Sequence, residues 1–116
     1  MPLRVFILED EPLLAIELEQ ELESAGFDVV SVAASVRRGL EVVRDLTFDV
    51  AVLDANLGGE YATPIAEALR ANGTPFICIS GYARDALPSA FADVRLLSKP
   101  FSPKQLVSEL TALAPV

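Results

Sequence analysis

Residues Phe48-Asp49-Val50-Ala51-Val52-Leu53-Asp54 constrain the fold more than any other stretch of the chain. Val50 to Leu53 are apolar without a break, so a strand formed here has no face to give to water and must be covered on both sides. Strands of that kind belong to parallel sheets packed between helices. The run stops on a carboxylate, which places Asp54 where the strand leaves the core.

The rest of the chain supplies the strands and helices that such a sheet requires. Leu3 to Leu8 is a first apolar run, ending on Glu9-Asp10-Glu11-Pro12. Asp10 or Glu11 can cap a helix whose first turn suits Pro12, with Leu14, Leu18, Leu22 and Ala25 on one stripe and Gly26 as its stop. Asp28 to Ala33 reads as a second strand, and Ser35 as the N-cap of a helix reaching about Leu46, in which Gly39 is a weak point. Beyond Asp54, Asn56-Leu57-Gly58-Gly59 reads as a flexible loop, and Pro64 opens a helix carrying Ile65, Ala68 and Leu69 that ends at Asn72-Gly73. Pro75 to Ser80 is a fourth strand. Pro88 interrupts any helix begun near Tyr82, so a short or broken helix is expected between Gly81 and Asp93. Val94 to Leu97 form a fifth strand and Lys99-Pro100 a turn. Ser102-Pro103-Lys104-Gln105 is a capping box for a last helix bearing Leu106, Leu110 and Leu113.

Strand and helix thus alternate five times. This predicts one α/β domain over residues 1–116, a doubly wound five-stranded parallel sheet with right-handed crossovers and helices on both faces. With 52% hydrophobic and 22% charged residues the chain can fold alone. Its formal charge of −8, with no cluster of Lys or Arg, argues against nucleic acid and anionic lipid as partners. The first apolar run is too short for a signal peptide or a membrane span, so a cytoplasmic location without membrane insertion is expected. The single cysteine, Cys78, lies in an apolar run and reads as a core residue; without histidine a transition-metal site is not expected.

Ligands of such sheets bind beyond the carboxyl ends of the strands. The polar residues fall there: Glu9 and Asp10 after the first strand, Asp54 after the third, Ser80 after the fourth and Lys99 after the fifth. Carboxylates gathered in one pocket repel one another unless a cation lies among them, and oxygen donors without imidazole or thiolate favour Mg²⁺ or Mn²⁺. A carboxylate can also attack phosphorus to give an aspartyl phosphate. That transfer needs charge neutralised around the equatorial oxygens more than it needs an acid or base. The metal, the Lys99 ammonium and the Ser80 hydroxyl would supply it.

On these residues the sequence resembles, over essentially its whole length, the receiver domain of two-component response regulators. The resemblance implies a flavodoxin-like sheet of order 2-1-3-4-5. It implies that Asp54 is the phosphoacceptor, that Asp10 ligates the metal directly with Glu9 acting through water, and that the backbone carbonyl of Asn56 completes the metal shell. Ser80 and Lys99 would bind the phosphoryl group, and Lys99-Pro100 would be a cis peptide. The implied phosphodonor is a sensor histidine kinase or a histidine phosphotransfer protein, and the implied activity is no enzyme's beyond self-phosphorylation and dephosphorylation. Pro75-Phe76-Ile77-Cys78-Ile79-Ser80-Gly81-Tyr82 further resembles the Pro-Phe-x-Phe-Ala-Thr-Gly-Gly/Tyr strand of a single-domain subgroup, from which Cys78, Ile79 and Ser80 depart. No output domain follows the last helix, so the expectation is a stand-alone receiver. It would signal through contacts with a downstream protein, or act as a phosphate shuttle or sink.

Receivers carry Tyr or Phe on the fifth strand as a rotamer switch, and here Leu96 holds that position. Readout is therefore expected to run through reordering of Gly81 to Asp93, with Tyr82 as a substitute lever. Leu13 and Ile16 lie off the apolar stripe of the first helix and would form an exposed patch beside the acidic pair, suited to docking of the phosphodonor. Two other functions compete. A Mg²⁺-dependent phosphohydrolase of the haloacid dehalogenase kind needs a second Asp two residues after the nucleophile and a cap over the substrate; this chain has Asn56 there and no length for a cap. A pseudo-receiver that never turns over is opposed by the complete acidic, Ser and Lys set.

Overall fold

In the computed structural model, which describes residues 2–113, the chain runs β1 (Arg4–Leu8), α1 (Pro12–Ser24), β2 (Asp28–Ala33), α2 (Val36–Asp45) and β3 (Val50–Asp54). It continues through a small hairpin of β4 (Asn56–Leu57) and β5 (Glu60–Tyr61) to α3 (Thr63–Ala71), β6 (Phe76–Ser80), β7 (Arg95–Ser98) and α4 (Pro103–Leu113). Met1 and residues 114–116, the ends of the expected domain, lie outside the described residues. The main sheet is wholly parallel in the order β2-β1-β3-β6-β7, which is 2-1-3-4-5 when its own strands are counted.

The unbroken apolar run of β3 has a direct structural cause. Every residue from Val50 to Asp54 is buried, because successive side chains enter different cores. Ala51 and Leu53 join Phe6, Leu8, Ile65 and Leu69 on the face covered by α2 and α3, while Val50 and Val52 join Val5, Ile7, Leu18 and Leu106 on the face covered by α1 and α4. Leu18 and Leu22 of α1 are fully buried, each worth about 1.5–3 kcal/mol of transfer energy. Ala15 completes that stripe, whereas Ala25 at the C-cap is exposed. Gly26, with φ +96°, stops the helix.

Ser35 caps α2 as expected, its Oγ accepting from the Arg38 N–H at 3.1 Å. Gly39 is no mere weak point: a Cβ there would stand 2.9 Å from Ile65 Cδ1 and 3.1 Å from Leu8 Cδ1, so its absence lets α2 lie close on α3 and β1. Ser102 Oγ accepts from the Lys104 N–H at 3.2 Å at the start of α4.

One expectation needs correction. Residues 56–59 are not a flexible loop but the first half of the β4–β5 hairpin, turning through Gly58 (φ +60°) and Gly59 (φ +93°). Two successive positive φ values make the turn whose twist suits a two-residue hairpin, and glycine adopts both without a steric penalty. Burial of Leu57 in the α2/α3 core, together with a bond from the Gly59 N–H to Asn56 Oδ1 (2.8 Å), fixes it.

Between β6 and β7 the helix is broken into two single 3₁₀ turns, Arg84–Ala86 and Ser89–Phe91, on either side of Pro88. Phe91 is fully buried in the α2/α3 core, and Leu96 packs half-buried against that core.

Candidate functional site

Parallel register brings four strand ends to one edge: Leu8 lies beside Leu53, Asp54 beside Ile79, and Ser80 beside Ser98. The residues that follow these ends line an open pocket of about 490 Å³, among them Asp10, Asp54, Asn56, Ser80 and Lys99. All the residues expected at the site are therefore brought to it; Glu9 does not line the pocket itself, but its buried carboxylate stands 3.3 Å from Lys99 Nζ.

Asp54 is held from two sides. Its Oδ1 accepts from the Asn56 N–H (3.1 Å), and its Oδ2 accepts from Lys99 Nζ (2.9 Å). Lys99 is placed by its own backbone N–H, which donates to the Ser80 carbonyl at 2.7 Å, and precedes the cis peptide to Pro100. Burial works against its charge, but hydrogen bonds to Asp54 and Glu11 outweigh that and raise the ammonium above the ordinary lysine range. Ser80 Oγ accepts from the Tyr82 N–H (2.9 Å), which leaves the hydroxyl proton to be donated elsewhere.

From the sequence Glu11 reads only as a helix cap; the structure brings it into the site. Its Oε1 accepts from Lys99 Nζ at 3.0 Å. One carboxylate oxygen each from Glu9, Glu11 and Asp54 falls within 4.8 Å of the others. Asp10 lines the pocket with its carboxylate toward Gly58, outside that group of three. Three successive acidic residues were the available signal for Glu11; which of them turns inward depends on how the chain enters α1.

The donor set fits a hard divalent cation. Glu9 Oε2 accepts from the Glu11 N–H (3.0 Å), but the buried Oε1 has no hydrogen-bond partner, although Lys99 Nζ stands 3.3 Å away. Acidic oxygens of which one is buried and unsatisfied suit Mg²⁺ or Mn²⁺. In the hairpin, the bond from the Ala62 N–H to the Ala55 carbonyl puts the hydrogen-bonded pairs at Ala55/Ala62 and Leu57/Glu60. Asn56, between them, turns its N–H and carbonyl away from the partner strand.

Burial pushes Glu9 up to about 7, with the Asp54 charge adding to the rise and the Glu11 N–H and Lys99 opposing it. A carboxyl whose pKa is higher folded than unfolded binds its proton more tightly in the native chain. Its stabilising contribution is complete below the unfolded value near 4.5 and lost as the pH rises through about 7. In metal-free buffer Glu9 should therefore cost the chain about 3 kcal/mol between pH 4.5 and pH 8, and Glu9→Gln should remove that slope. Urea unfolding at both pH values checks this; identical slopes in the two chains would clear Glu9 as the cause.

The response regulator receiver domain model matches residues 5–111. The DNA-binding response regulator MtrA of Mycolicibacterium smegmatis is 31% identical over 115 residues, covering 94% of this chain and 49% of MtrA. The chain spans about half the length of the curated relatives it first matches. Among solved structures, SdrG from Sphingomonas melonis Fr1 is 41% identical with a TM-score of 0.83, over 97% of this chain and 96% of SdrG. The response regulator PhyR from Brucella abortus is 27% identical with a TM-score of 0.84, over 98% of this chain and 48% of PhyR.

Proposed function

The chain belongs to the response regulator receiver family, and from that premise we propose that Asp54 accepts a phosphoryl group from a phosphohistidine donor. The observation that carries this reading is the Lys99 ammonium 2.9 Å from Asp54 Oδ2, at a pocket that also holds the Ser80 hydroxyl. A carboxylate oxygen of Asp54 forms the bond to phosphorus as the bond to the donor imidazole nitrogen breaks, and the nitrogen keeps the electron pair. Lys99 and Ser80 donate to the oxygens on which charge accumulates. Asp10, which lines the pocket, with Glu9, Asp54 and the Asn56 carbonyl, would hold a divalent cation that neutralises further phosphoryl charge when bound.

Incubation with Mg²⁺ and acetyl phosphate tests the reading. A single acid-stable, base-labile phosphate supports the receiver, turnover of many phosphate esters would indicate a hydrolase, and no reaction a pseudo-receiver. A stand-alone role, with output through protein contacts or as a phosphate shuttle or sink, belongs to the same proposal. A cytoplasmic location belongs to the same reading; no helix among the described residues is long and apolar enough to cross a membrane.

Readout runs through residues 81–93. Leu96 offers no aromatic ring to rotate, whereas Ser80 is bonded directly to the N–H of Tyr82, whose side chain is 51% exposed. Drawing the hydroxyl toward a phosphoryl oxygen pulls on that bond and hence on the two 3₁₀ turns. Amide exchange in 81–93 should change on adding beryllium trifluoride with Mg²⁺; identical protection in both states would sink this route.

The phosphodonor docks on the outer face of α1, where Leu13 is 83% and Ile16 52% exposed in the first two turns after Glu11. Each truncation to Ala removes contact worth about 1 kcal/mol at an interface. The double variant Leu13→Ala, Ile16→Ala should slow transfer from a phosphoprotein donor roughly tenfold or more and leave acetyl phosphate labelling unchanged. Equal transfer rates would remove the patch from the interface.

A further inference from the structure

Glu11 is the N-cap residue of α1, yet its side chain makes no capping bond. An N-cap carboxylate can satisfy an orphan N–H of the first turn and gain about 1 kcal/mol by it. Glu11 instead reaches Lys99, 88 residues further along the chain. Its backbone N–H meanwhile donates to Glu9 Oε2, which fixes the turn that aims the side chain at the pocket.

Lys99 has one charge and three N–H donors, and it serves Asp54 at 2.9 Å, Glu11 at 3.0 Å and Glu9 at 3.3 Å. A phosphoryl oxygen entering the pocket needs one of those donors and a share of that charge. Asp54 gives up its claim when it becomes an acyl phosphate, and Glu9 is buried. Glu11, with a side chain 63% exposed at the pocket mouth, keeps its claim and also presents a negative charge to the arriving anion. Repulsion acts in the same direction, but from an exposed and screened carboxylate it is the smaller part, and the competition for Lys99 is the larger.

We propose that Glu11 is a positioning residue that holds Lys99 back from the phosphoryl site and so limits how tightly the pocket takes a phosphoryl group, a proposal that rests on the phosphoacceptor reading of Asp54. Glutamine at this position keeps the carbonyl acceptor and the volume while losing the charge. Glu17 is the comparison for net charge alone: it lines the adjoining groove with Leu14, Pro100 and Phe101, and has no ion pair to Lys99.

The test titrates beryllium trifluoride at saturating Mg²⁺ and reads the backbone amide signals of Ser80 and Gly81. Glu11→Gln should lower the apparent Kd about three- to tenfold, the size of change expected for a partly screened charge at this range. Glu17→Gln should shift it less than about twofold, and in a Lys99→Gln background Glu11→Gln should likewise have less than about a twofold effect. An unchanged Kd in Glu11→Gln overturns the proposal. So does an equal gain in Glu17→Gln, or a gain that persists without Lys99. If the wild-type chain shows no saturable binding, the phosphoacceptor reading itself falls and takes the proposal with it; if it binds and Glu11→Gln matches it, only the role of Glu11 is lost.

Discussion

Asp54→Asn should abolish labelling by acetyl phosphate, leaving less than about 1% of the wild-type incorporation, while the chain stays folded. An amide offers phosphorus no anionic oxygen, and the remaining carboxylates are poor substitutes. Glu9 is buried with one oxygen bonded to the Glu11 N–H, and Glu11 is committed to Lys99. The exchange is nearly isosteric. Oδ1 of the asparagine still accepts from the Asn56 N–H; its NH₂ group, in place of Oδ2, loses the bond from Lys99, but Lys99 keeps Glu9 and Glu11 and one negative charge leaves a crowded acidic cluster. Stability should therefore stay within about 1 kcal/mol of the wild type. Intact-mass measurement with a parallel thermal melt checks both halves. Undiminished incorporation in a folded variant would place the phosphoacceptor elsewhere.

Asp54, Ser80 and Lys99 could be read from the sequence because each follows an apolar strand, and a parallel sheet obliges the ends of neighbouring strands to meet. The same logic found β3, whose lack of alternation reports two covered faces. It failed where the decisive contact is distant in sequence. Glu11 is an ordinary cap candidate until Lys99 arrives from the other end of the chain to compete for its carboxylate. Gly39 looks like a flaw in a helix until Ile65 and Leu8 are seen against it. Gly58-Gly59 suggests flexibility because glycine permits many conformations; burial of Leu57 and the Asn56 side chain select one of them. In each case local propensity was read correctly and tertiary contact decided the outcome.

Phe91→Ala should cost about 3–5 kcal/mol, the usual loss for truncating a fully buried phenylalanine. A single 3₁₀ turn has little stability of its own, so its place depends on what its side chains bury. Phe91 is sunk in the core that also holds Cys78, Ala66 and Leu69, while its neighbours Leu87, Ala90 and Val94 are only partly buried there. Removing the ring takes away the main anchor of residues 81–93, the segment through which Asp54 is proposed to signal. Such a segment can open locally without unfolding the domain. Amide protection in 81–93 should accordingly collapse before that of β3 does, alongside a fall of roughly 10–20 °C in melting temperature. Phe91→Leu retains most of the buried apolar surface and should lose only about 1–2 kcal/mol, with protection largely kept. An unchanged melt and unchanged exchange in Phe91→Ala would mean that the segment is pinned elsewhere. The readout route would then have to be sought on β7, around Leu96.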